Sequence, residues 1–488
     1  MPAPAATPWN SAPTAALVLG ASLVAGAALR AWLAFTDAGI YWPDEIYQSL
    51  EPAHRLVWGR GLVAWEFIAG ARPWTLPAAV AGMFTVFRAL GLSDPSAYVP
   101  GVKLVFAAAG VATAWATARL ARALGAGPLP AATAGALWAL AAPAIYFAPR
   151  GLSEPLSALP LTAGLALAWP SGAPRRRRLW GAALLCVAVL LRLQDAVVCL
   201  GLLVALLARR ERRAAAEALG VFALGAAALG TLDWATWGHP FQSALVNLHF
   251  NVVQGGGSLW GTSDGLYYAR VLFRSMPAVT LTLVAGAALA SKRAPGMLGL
   301  VAAFLVLHSL VPHKELRFIL PVLPAWAALA GLGMEVASEW VVRRRPALAP
   351  WVVAPALAAA VVSAVRFHAL TFGDLGAYEG LKPQASAYDD FGDVNRLLVQ
   401  AGRLPELCGL KVEAVHLAWT GGYTYFHRAA RLYSHLGPPR GERKYSHVLT
   451  VRGAVPRGAV RAQAGPFVVA QLFDGPCAED PAFSWRLP

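Results

Sequence analysis

Two adjacent acids interrupt an otherwise apolar N-terminal region of this chain. Asp44 and Glu45 follow Pro43, soon after an apolar run that covers residues 14–35. Proline is favoured in the first turn of a helix, and the helix dipole stabilises an ionised carboxylate there. Such a carboxylate could act as a general base that accepts a proton from a hydroxyl group. The simpler interpretation is that Asp44 is a helix N-terminal charge and nothing more.

A basic cluster far along the chain has the complementary chemistry. The segment PHKELRFIL, residues 312–320, contains His313, Lys314 and Arg317. In a helix, spacings of three and four residues would gather these charges on one face, and cationic or titratable groups of this kind suit a phosphate. The simpler interpretation is that the cations snorkel from the end of a membrane span.

Two other polar segments could contribute to the same chemistry. The loop at residues 233–268 is rich in Trp, Asn, Gly and Tyr. Its aromatic rings could stack on a sugar while amides such as Asn251 hydrogen-bond it, but Trp and Tyr are equally typical of a membrane interface. In the turn RGLSEP, Arg150 and Glu154 either support the site or pair with each other.

The acidic segment is expected to form an amphipathic helix that lies along the membrane surface. Its polar stripe would contain Asp44, Gln48, Glu51 and Arg55, and its apolar stripe Ile46, Leu50, Ala53 and Val57. Pro52 should kink this helix near its middle, because proline lacks the N–H that an interior helical position needs.

The composition indicates what kind of protein must hold these residues. Of the 488 residues, 57% are hydrophobic and only 14% are charged, whereas soluble domains carry about 25% charged residues. The apolar runs reach the roughly 20 residues that a membrane-spanning helix needs. We therefore predict an α-helical polytopic membrane protein of about eleven spans. The predicted spans are residues 14–35, 98–118, 129–148, 156–172, 179–193, 195–208, 214–231, 276–291, 295–311, 318–341 and 348–366.

The net charge of +15 is concentrated between these runs. Basic clusters lie at residues 119–122, 175–178, 209–213, 292–293 and 343–345, all on one predicted side. This is the positive-inside pattern, so we expect a cytoplasmic N-terminus in a multi-pass protein of the cell inner membrane. The opposite, outer face would carry residues 36–97, 232–275 and the tail. Because no compact basic surface is interleaved with aromatic residues, nucleic acid is not an expected partner.

The C-terminal tail, residues 367–488, is expected to be a small extracytoplasmic α/β domain that follows a membrane module of residues 1–366. Period-2 alternation predicts strands in LKVEAVHL, YSHVLTVRG and PFVVAQLF, and a helix is predicted at residues 391–402. Cys408 and Cys477 could form a disulfide if the tail lies in an oxidising compartment. Between two short spans, Arg192 and Asp195 are expected to form a structural ion pair.

The two chemistry-bearing segments resemble those of a known family. PDEIYQSLEPAHRLVWGRGLVAWEF, residues 43–67, resembles the acidic first-loop segment of glycosyltransferase family 22, in the GT-C superfamily of membrane glycosyltransferases. It ends in the Trp-Glu-aromatic triplet Trp65-Glu66-Phe67. HKELRF resembles the family's His-Lys-Glu-Glu-Arg-Phe signature, with Leu316 in place of the second Glu. The similarity covers roughly residues 14–345.

The resemblance implies a GT-C fold and an inverting transfer of a sugar, mannose, from a polyprenyl-phosphate donor. The acceptor would be a lipid-linked or cell-envelope glycan on the outer face. Asp44 would be the base and Glu45 would orient it or the acceptor. The donor phosphate and substrate would be bound by His313, Lys314, Arg317, Arg150 and Asn251. No metal or other cofactor is required, because side chains can neutralise the phosphate, although two adjacent acids leave a divalent metal open.

Two other classes of function use the same residues. A transporter or flippase for a lipid-linked saccharide would use the polar groups as a pathway, but transporters more often show internal repeats and broken helices at mid-membrane. A non-catalytic subunit would use the tail to bind peptidoglycan or a partner. An intact acidic pair argues against a decayed site, so an enzyme is the favoured interpretation.

Overall fold

A computed structural model describes residues 12–376, 383–388 and 390–487. The N-terminal residues predicted to be cytoplasmic, 1–11, lie outside this range. Each predicted span contains a helix. The helices in these regions are Ala12–Thr36, Pro95–Ala123, Pro128–Leu140, Ala142–Phe147, Ser153–Ala168, Arg175–Leu191, Ala196–Ala208, Arg212–Trp237, Pro277–Ala290, Pro295–Leu310, Leu323–Arg344 and Ala354–Arg366.

Four helices of the described chain are long and apolar enough to cross a membrane. They are Ala12–Thr36, Pro95–Ala123, Arg212–Trp237 and Pro346–Ala369. A shorter apolar helix, Thr75–Ala89, lies within residues 36–97, where no span is predicted. The remaining helical segments before the tail are short: Ile46–Leu50, Glu51–Trp58, Trp65–Ala69, Gln242–Leu248, His249–Val253, Gly256–Trp260, Tyr267–Ser275 and Leu316–Ile319.

The described residues form two compact units. The first contains the described parts of residues 1–32, 105–149 and 153–386, and the second those of 33–104, 150–152 and 387–488. The second unit therefore combines the first polar segment with most of the tail, although the sequence analysis assigns these regions to separate domains.

Small residues allow the helices of the first unit to approach closely. A Cβ atom added to Gly164 would lie 2.8 Å from the carbonyl oxygen of Gly181, and one added to Gly286 would lie 2.5 Å from the Cα of Ala330. Both distances are too short for a side chain. Close backbone contact at small residues is the typical packing of membrane helices, because lipid removes the hydrophobic drive for association.

Arg30 is buried in the first helix, next to a break between two others. The helix Pro128–Leu140 ends at Ala141, and Pro143 follows with no N–H to offer the carbonyl of Ala139. The Nη1 of Arg30 donates to that carbonyl at 2.6 Å. The buried cation therefore satisfies a backbone acceptor that the proline leaves without its helical partner.

The tail contains a five-stranded sheet that belongs to the second unit. Its strands are β1 (Gly409–Val412), β2 (Arg431–Tyr433), β3 (His447–Val451), β4 (Val460–Ala464) and β5 (Phe467–Gln471), in the order β2-β1-β3-β5-β4. β1 pairs in parallel with β2 and β3, whereas β5 pairs antiparallel with β3 and β4. The helix Gly392–Gly402 packs on β4 and β5. The predicted α/β character of the tail is confirmed.

Two strands of this sheet were not predicted, for different reasons. β2 has only three residues, too few for alternation to be visible. β4 alternates, but the apolar side of its sequence VRAQA consists of one Val and two small Ala residues, and none of its residues is buried. A disulfide joins Cys408, which precedes β1, to Cys477 after β5.

Candidate active site

The acidic segment forms a helix with one widened turn. A π-helical turn, Ile46–Leu50, precedes the α-helix Glu51–Trp58, and the N–H of Glu51 donates to the carbonyl of Ile46, five residues back. Pro52 has no N–H and its ring crowds the preceding turn, which explains why regular α-helical bonding is interrupted here. π-helical turns occur frequently at functional sites.

The predicted polar stripe of this helix is wrong at Glu51, which is 0% exposed. Its carboxylate accepts N–H groups from Leu62, Tyr423 and Thr424 at 2.8–2.9 Å, and the Thr424 hydroxyl at 2.7 Å. Burial raises the pKa of Glu51, and these hydrogen bonds oppose the rise. The segment is therefore enclosed by protein on the side of Glu51 rather than lying freely on a surface.

Arg150 is at the centre of a buried group of acids in the second unit. It is 1% exposed. Its Nη1 lies 3.0 Å from Glu45, and its Nη2 lies 2.8 Å from Asp37 and 3.2 Å from Asp390. Three acidic side chains therefore surround one guanidinium. This environment favours a positioning role for Arg150 over the predicted contact with substrate.

Glu45 is held in this group by its carboxylate. Besides the ion pair to Arg150, it accepts the backbone N–H of Tyr41, and that of Trp42 at 3.1 Å. Burial raises the pKa of Glu45, and Arg150 opposes the rise. Because Glu45 is only 3% exposed, its geometry is that of a residue that anchors the first helical turn, next to Asp44.

Asp44 is half-buried and acts electrostatically on Glu66. Gln48, one turn after Asp44, donates its Nε2 to Glu66 Oε1 at 2.8 Å. Burial raises the pKa of Glu66, and the charge of Asp44 raises it further. Glu66 thus joins the acidic site, a role that sequence reasoning did not assign. Its position in the triplet Trp65-Glu66-Phe67 was the available signal.

The cationic cluster in the first unit is not helical as predicted. Residues 311–315 form an irregular turn, followed by the 3-10 helix Leu316–Ile319. Glu315 gathers the charges instead. It accepts Arg317 Nε at 2.7 Å and Nη2 at 3.0 Å, and it lies 3.0 Å from His313 Nε2. Burial alone would raise the pKa of Glu315, but Arg317 and His313 lower it to about 2.

Lys314 is oriented by backbone oxygen atoms. Its Nζ donates to the carbonyl of Ser263 at 2.7 Å and to that of Pro312 at 3.4 Å. The side chain is largely buried, and burial lowers the pKa of Lys314. Within the part of the chain that the structure describes, Lys314 forms no ion pair. Lys314 therefore differs from Arg317, whose guanidinium is paired with the carboxylate of Glu315.

The polar loop predicted to contact a sugar is attached to this turn. Ser263 N–H donates to the carbonyl of Pro312 at 2.9 Å, and His313 Nδ1 lies 3.0 Å from the carbonyl oxygen of Gly261. Both ring nitrogens of His313 thus lie within hydrogen-bond distance of an oxygen atom. A Cβ at Gly257 would lie 3.3 Å from Asn251 Oδ1 and 3.6 Å from His313 Cβ, so Asn251 and His313 flank one glycine.

The same loop exposes apolar side chains. Seven of its large hydrophobic residues are 56–80% exposed: Trp234, Leu245, Leu248, Val252, Val253, Leu259 and Leu266. The loop therefore contacts the cationic turn through polar groups and also exposes an apolar surface. The Trp and Tyr content, which suggests a loop that stacks on a sugar, gives no sign of this apolar surface. The ring of Trp260 packs against that of Phe250, with centroids 5.6 Å apart.

Arg317 belongs to a longer buried chain of charges. Glu154 Oε1 lies 3.8 Å from Arg317 Nη1 and 3.8 Å from Arg192 Nε. Arg192 Nη1 lies 3.5 Å from Asp195, so the predicted structural ion pair is present.

The structure brings the predicted site residues together in two groups, one in each unit. His313, Lys314, Arg317 and Asn251 lie together in the first unit, and Asp44, Glu45 and Arg150 in the second. Over residues 12–376, 383–388 and 390–487, no group of three or more His, Cys, Asp or Glu side chains could hold a metal ion.

Comparisons with solved structures identify the fold. ArnT from Cupriavidus metallidurans in the apo state matches with a TM-score of 0.59 and 17% identity, over 94% of this chain and 98% of ArnT. The same enzyme bound to undecaprenyl phosphate matches with a TM-score of 0.57 and 14% identity, over 93% of this chain and 97% of ArnT. The chain therefore has the GT-C fold of these membrane enzymes.

Sequence comparison identifies the family. GPI mannosyltransferase 3 of Yarrowia lipolytica is 34% identical over 316 residues, which are 62% of this chain and 60% of that protein. The chain thus spans well under two thirds of the length of this relative. The sequence profile of the Alg9-like mannosyltransferase family matches residues 22–384, which include both groups of site residues. The chain belongs to the Alg9-like mannosyltransferase family.

Proposed function

We propose that the protein is an integral-membrane hexosyltransferase that moves mannose from a polyprenyl-phosphate donor to a lipid-linked or cell-envelope glycan. The observation that carries this proposal is Lys314, a largely buried cation that is oriented by two carbonyl groups and, among the described residues, forms no ion pair. A buried charge of this kind at a membrane edge is a functional site by default.

The donor is an amphiphile, and the surroundings of Lys314 suit both of its parts. The phosphate would bind Lys314, with His313 and Arg317 beside it. The polyprenyl chain would lie on the exposed apolar surface formed by Leu248, Val252 and their neighbours. The structure of ArnT bound to undecaprenyl phosphate supports this class of donor, because ArnT has a similar fold and binds a polyprenyl phosphate.

The cationic turn would stabilise the departing phosphate. Charge develops on the leaving oxygen as the sugar is transferred, and a preorganised cation stabilises that charge without reorganisation. Glu315 keeps His313 and Arg317 in place through hydrogen bonds of 2.7–3.0 Å. Lys314 would supply a positive charge that, among the described residues, is in no ion pair.

Asp44 would accept the proton of the acceptor hydroxyl. Glu45 and Arg150 would position the helical turn that carries it, because both are buried and bound to each other. A single displacement would invert the anomeric centre, so a β-linked donor would give an α-linked product. Glu66 would lie beside Asp44 in this site, since the charge of Asp44 acts on its carboxyl group.

The membrane topology belongs to the same proposal. We infer about eleven spans in the inner membrane, with a cytoplasmic N-terminus and with the acidic segment, the cationic turn and the tail on the outer face. The disulfide between Cys408 and Cys477 supports an oxidising compartment for the tail.

Transfer of labelled mannose in membranes that contain the protein tests this function. Polyprenyl-phosphate [³H]mannose and a lipid-linked glycan extract should give a labelled glycan from which α-mannosidase releases labelled mannose. Membranes with the Asp44→Asn protein serve as the matched blank. Movement of a lipid-linked saccharide across the bilayer without a new glycosidic bond would instead support the alternative, a transporter or flippase.

A further inference from the structure

A cavity of about 390 Å³ lies in the first unit and is lined by none of the candidate site residues. Its lining includes Trp169, Arg209, Arg293 and the first residues of the helix Pro295–Leu310. That helix has 16 residues and is therefore about 24 Å long. It begins at the cavity and ends just before the turn that contains His313. The cavity and the cationic turn thus lie at opposite ends of one helix.

Arg209 provides the cavity with a positive charge. Its Nη1 donates to the carbonyl of Trp169 at 2.6 Å, and its guanidinium lies 4.7 Å from the centre of the Trp169 ring. No ion pair to Arg209 is found over the described ranges. Arg293, also in the lining, is bound by both carboxylate oxygens of Glu339. The charge of Arg209 is therefore the one that remains available to a ligand.

Two further features of the cavity favour an anion with an apolar part. The first N–H groups of a helix lack helical partners and carry a partial positive charge, and Gly296 and Met297 bring them into the lining. A Cβ at Gly296 would lie 3.5 Å from the Trp169 ring, an ordinary van der Waals contact, so the start of the helix and the ring adjoin each other in the lining. Leu124 and Met297 contribute an apolar surface beside these donors.

We propose that this cavity binds the phosphate of an anionic membrane phospholipid. Basic pockets between membrane helices are typical binding sites for anionic headgroups. The basic loops 209–213 and 292–293 flank the cavity in the sequence, so the lipid comes from the leaflet on their side, which the proposed topology makes cytoplasmic. The phosphate contacts Arg209 and the helix N-terminus, and the glycerol and the start of the acyl chains contact the apolar wall.

The test measures phosphatidylglycerol binding to the purified protein by native mass spectrometry and by the shift in melting temperature. Arg209→Gln should weaken phosphatidylglycerol binding about ten-fold and remove most of the shift. Arg213→Gln, which removes the same charge from an exposed position in the same loop, should leave both unchanged. Phosphatidylcholine and inorganic phosphate should give no shift at equal concentration.

A second variant separates loss of binding from loss of folding. Gly296→Asp places a carboxylate in the first turn of Pro295–Leu310, where an acid stabilises the helix but repels a phosphate. This variant should melt no lower than the wild type without lipid and should show no phosphatidylglycerol shift. Full lipid binding by both Arg209→Gln and Gly296→Asp would overturn the proposal. If inorganic phosphate gives an equal shift in melting temperature, the proposal that the bound phosphate belongs to a lipid is wrong. If phosphatidylcholine gives an equal shift, the proposed preference for an anionic lipid is wrong.

Discussion

The carboxylate of Glu315 accepts two hydrogen bonds from the guanidinium of Arg317, at 2.7 and 3.0 Å. Lys314, which immediately precedes Glu315 in sequence, is held by carbonyl oxygens instead. Neighbouring cations of one motif are therefore not equivalent. Arg317 is neutralised by an adjacent acid, whereas the charge of Lys314 remains available to a ligand. The first two predictions depend on this difference.

Lys314→Ala should weaken donor binding without unfolding the protein. Loss of a charge-assisted contact to phosphate is expected to lower kcat/KM for the polyprenyl-phosphate donor by roughly 10- to 100-fold. Initial rates of mannose transfer at varied donor concentration provide the measurement. Lys292→Ala, which removes an exposed lysine from the same unit, is the matched control. Unchanged donor kinetics in Lys314→Ala would instead support the simpler interpretation, in which Lys314 only snorkels from the end of a membrane span.

Arg317→Ala should destabilise the protein because it leaves Glu315 buried without its main partner. Breaking a buried ion pair from one side typically lowers the free energy of unfolding by about 3–5 kcal/mol. The double variant Arg317→Ala/Glu315→Gln removes the unpaired charge and should recover part of that loss. Melting temperatures of the two proteins in the same detergent make the comparison. Equal melting temperatures of the single and double variants would show that the unpaired charge of Glu315 does not cause the loss of stability.

Asp44→Asn should abolish sugar transfer while expression and membrane insertion stay normal. General-base catalysis typically contributes about 100- to 10,000-fold, and Asn has the size of Asp without its basicity. Transfer rates per amount of membrane-inserted protein test this. Asp393→Asn removes an acid of the same unit that pairs with Arg396 on an exposed surface, and it should retain full activity. Activity in Asp44→Asn close to that of this control would refute the assignment.

Asp390 should make the protein less stable as the pH rises. Burial raises the pKa of Asp390, Asp37 raises it further, and Arg150 opposes them. In the pH range between the ordinary Asp pKa of about 4 and the raised value, the folded state holds more protons than the unfolded state. The stability therefore falls as the pH rises through this range.

Asp390→Asn removes this titration and retains an oxygen that can accept from Arg150. Between about pH 5 and pH 8 its melting temperature should fall less than that of the wild type. Asp393→Asn, an exposed change in the same unit, should follow the wild-type curve. Parallel curves for Asp390→Asn and the wild type would contradict the prediction.

Local patterns in the sequence predicted the elements well. Apolar runs located the helices, and alternation located β3 and β5, because both signals depend on neighbours within a few residues. The pair Arg192 and Asp195 was predictable for the same reason, since the two residues are three apart. The cationic residues of HKELRF were recognised as a group, although the turn that holds them is not helical.

The partners of the buried acids could not be predicted in this way. Helical spacing placed Glu51 on a polar stripe, but Thr424, which lies 373 residues later, covers it. Likewise, Arg150 lies 105 residues from Glu45 and 240 from Asp390. Periodicity identifies which face of a helix is apolar, and it contains no information about a distant segment that hydrogen-bonds the polar face.

The burial of Glu51 also sets an order of events during synthesis. The N–H of Tyr423, which Glu51 accepts at 2.9 Å, lies 372 residues further along the chain. At about 5–20 residues per second, a ribosome needs roughly 20–75 s to cover that interval. Throughout that time the helix that carries Asp44 is in the membrane-bound nascent chain without the groups that complete it. The hydrogen bonds that hold the Glu51 carboxylate therefore form only after residues 423 and 424 have been made.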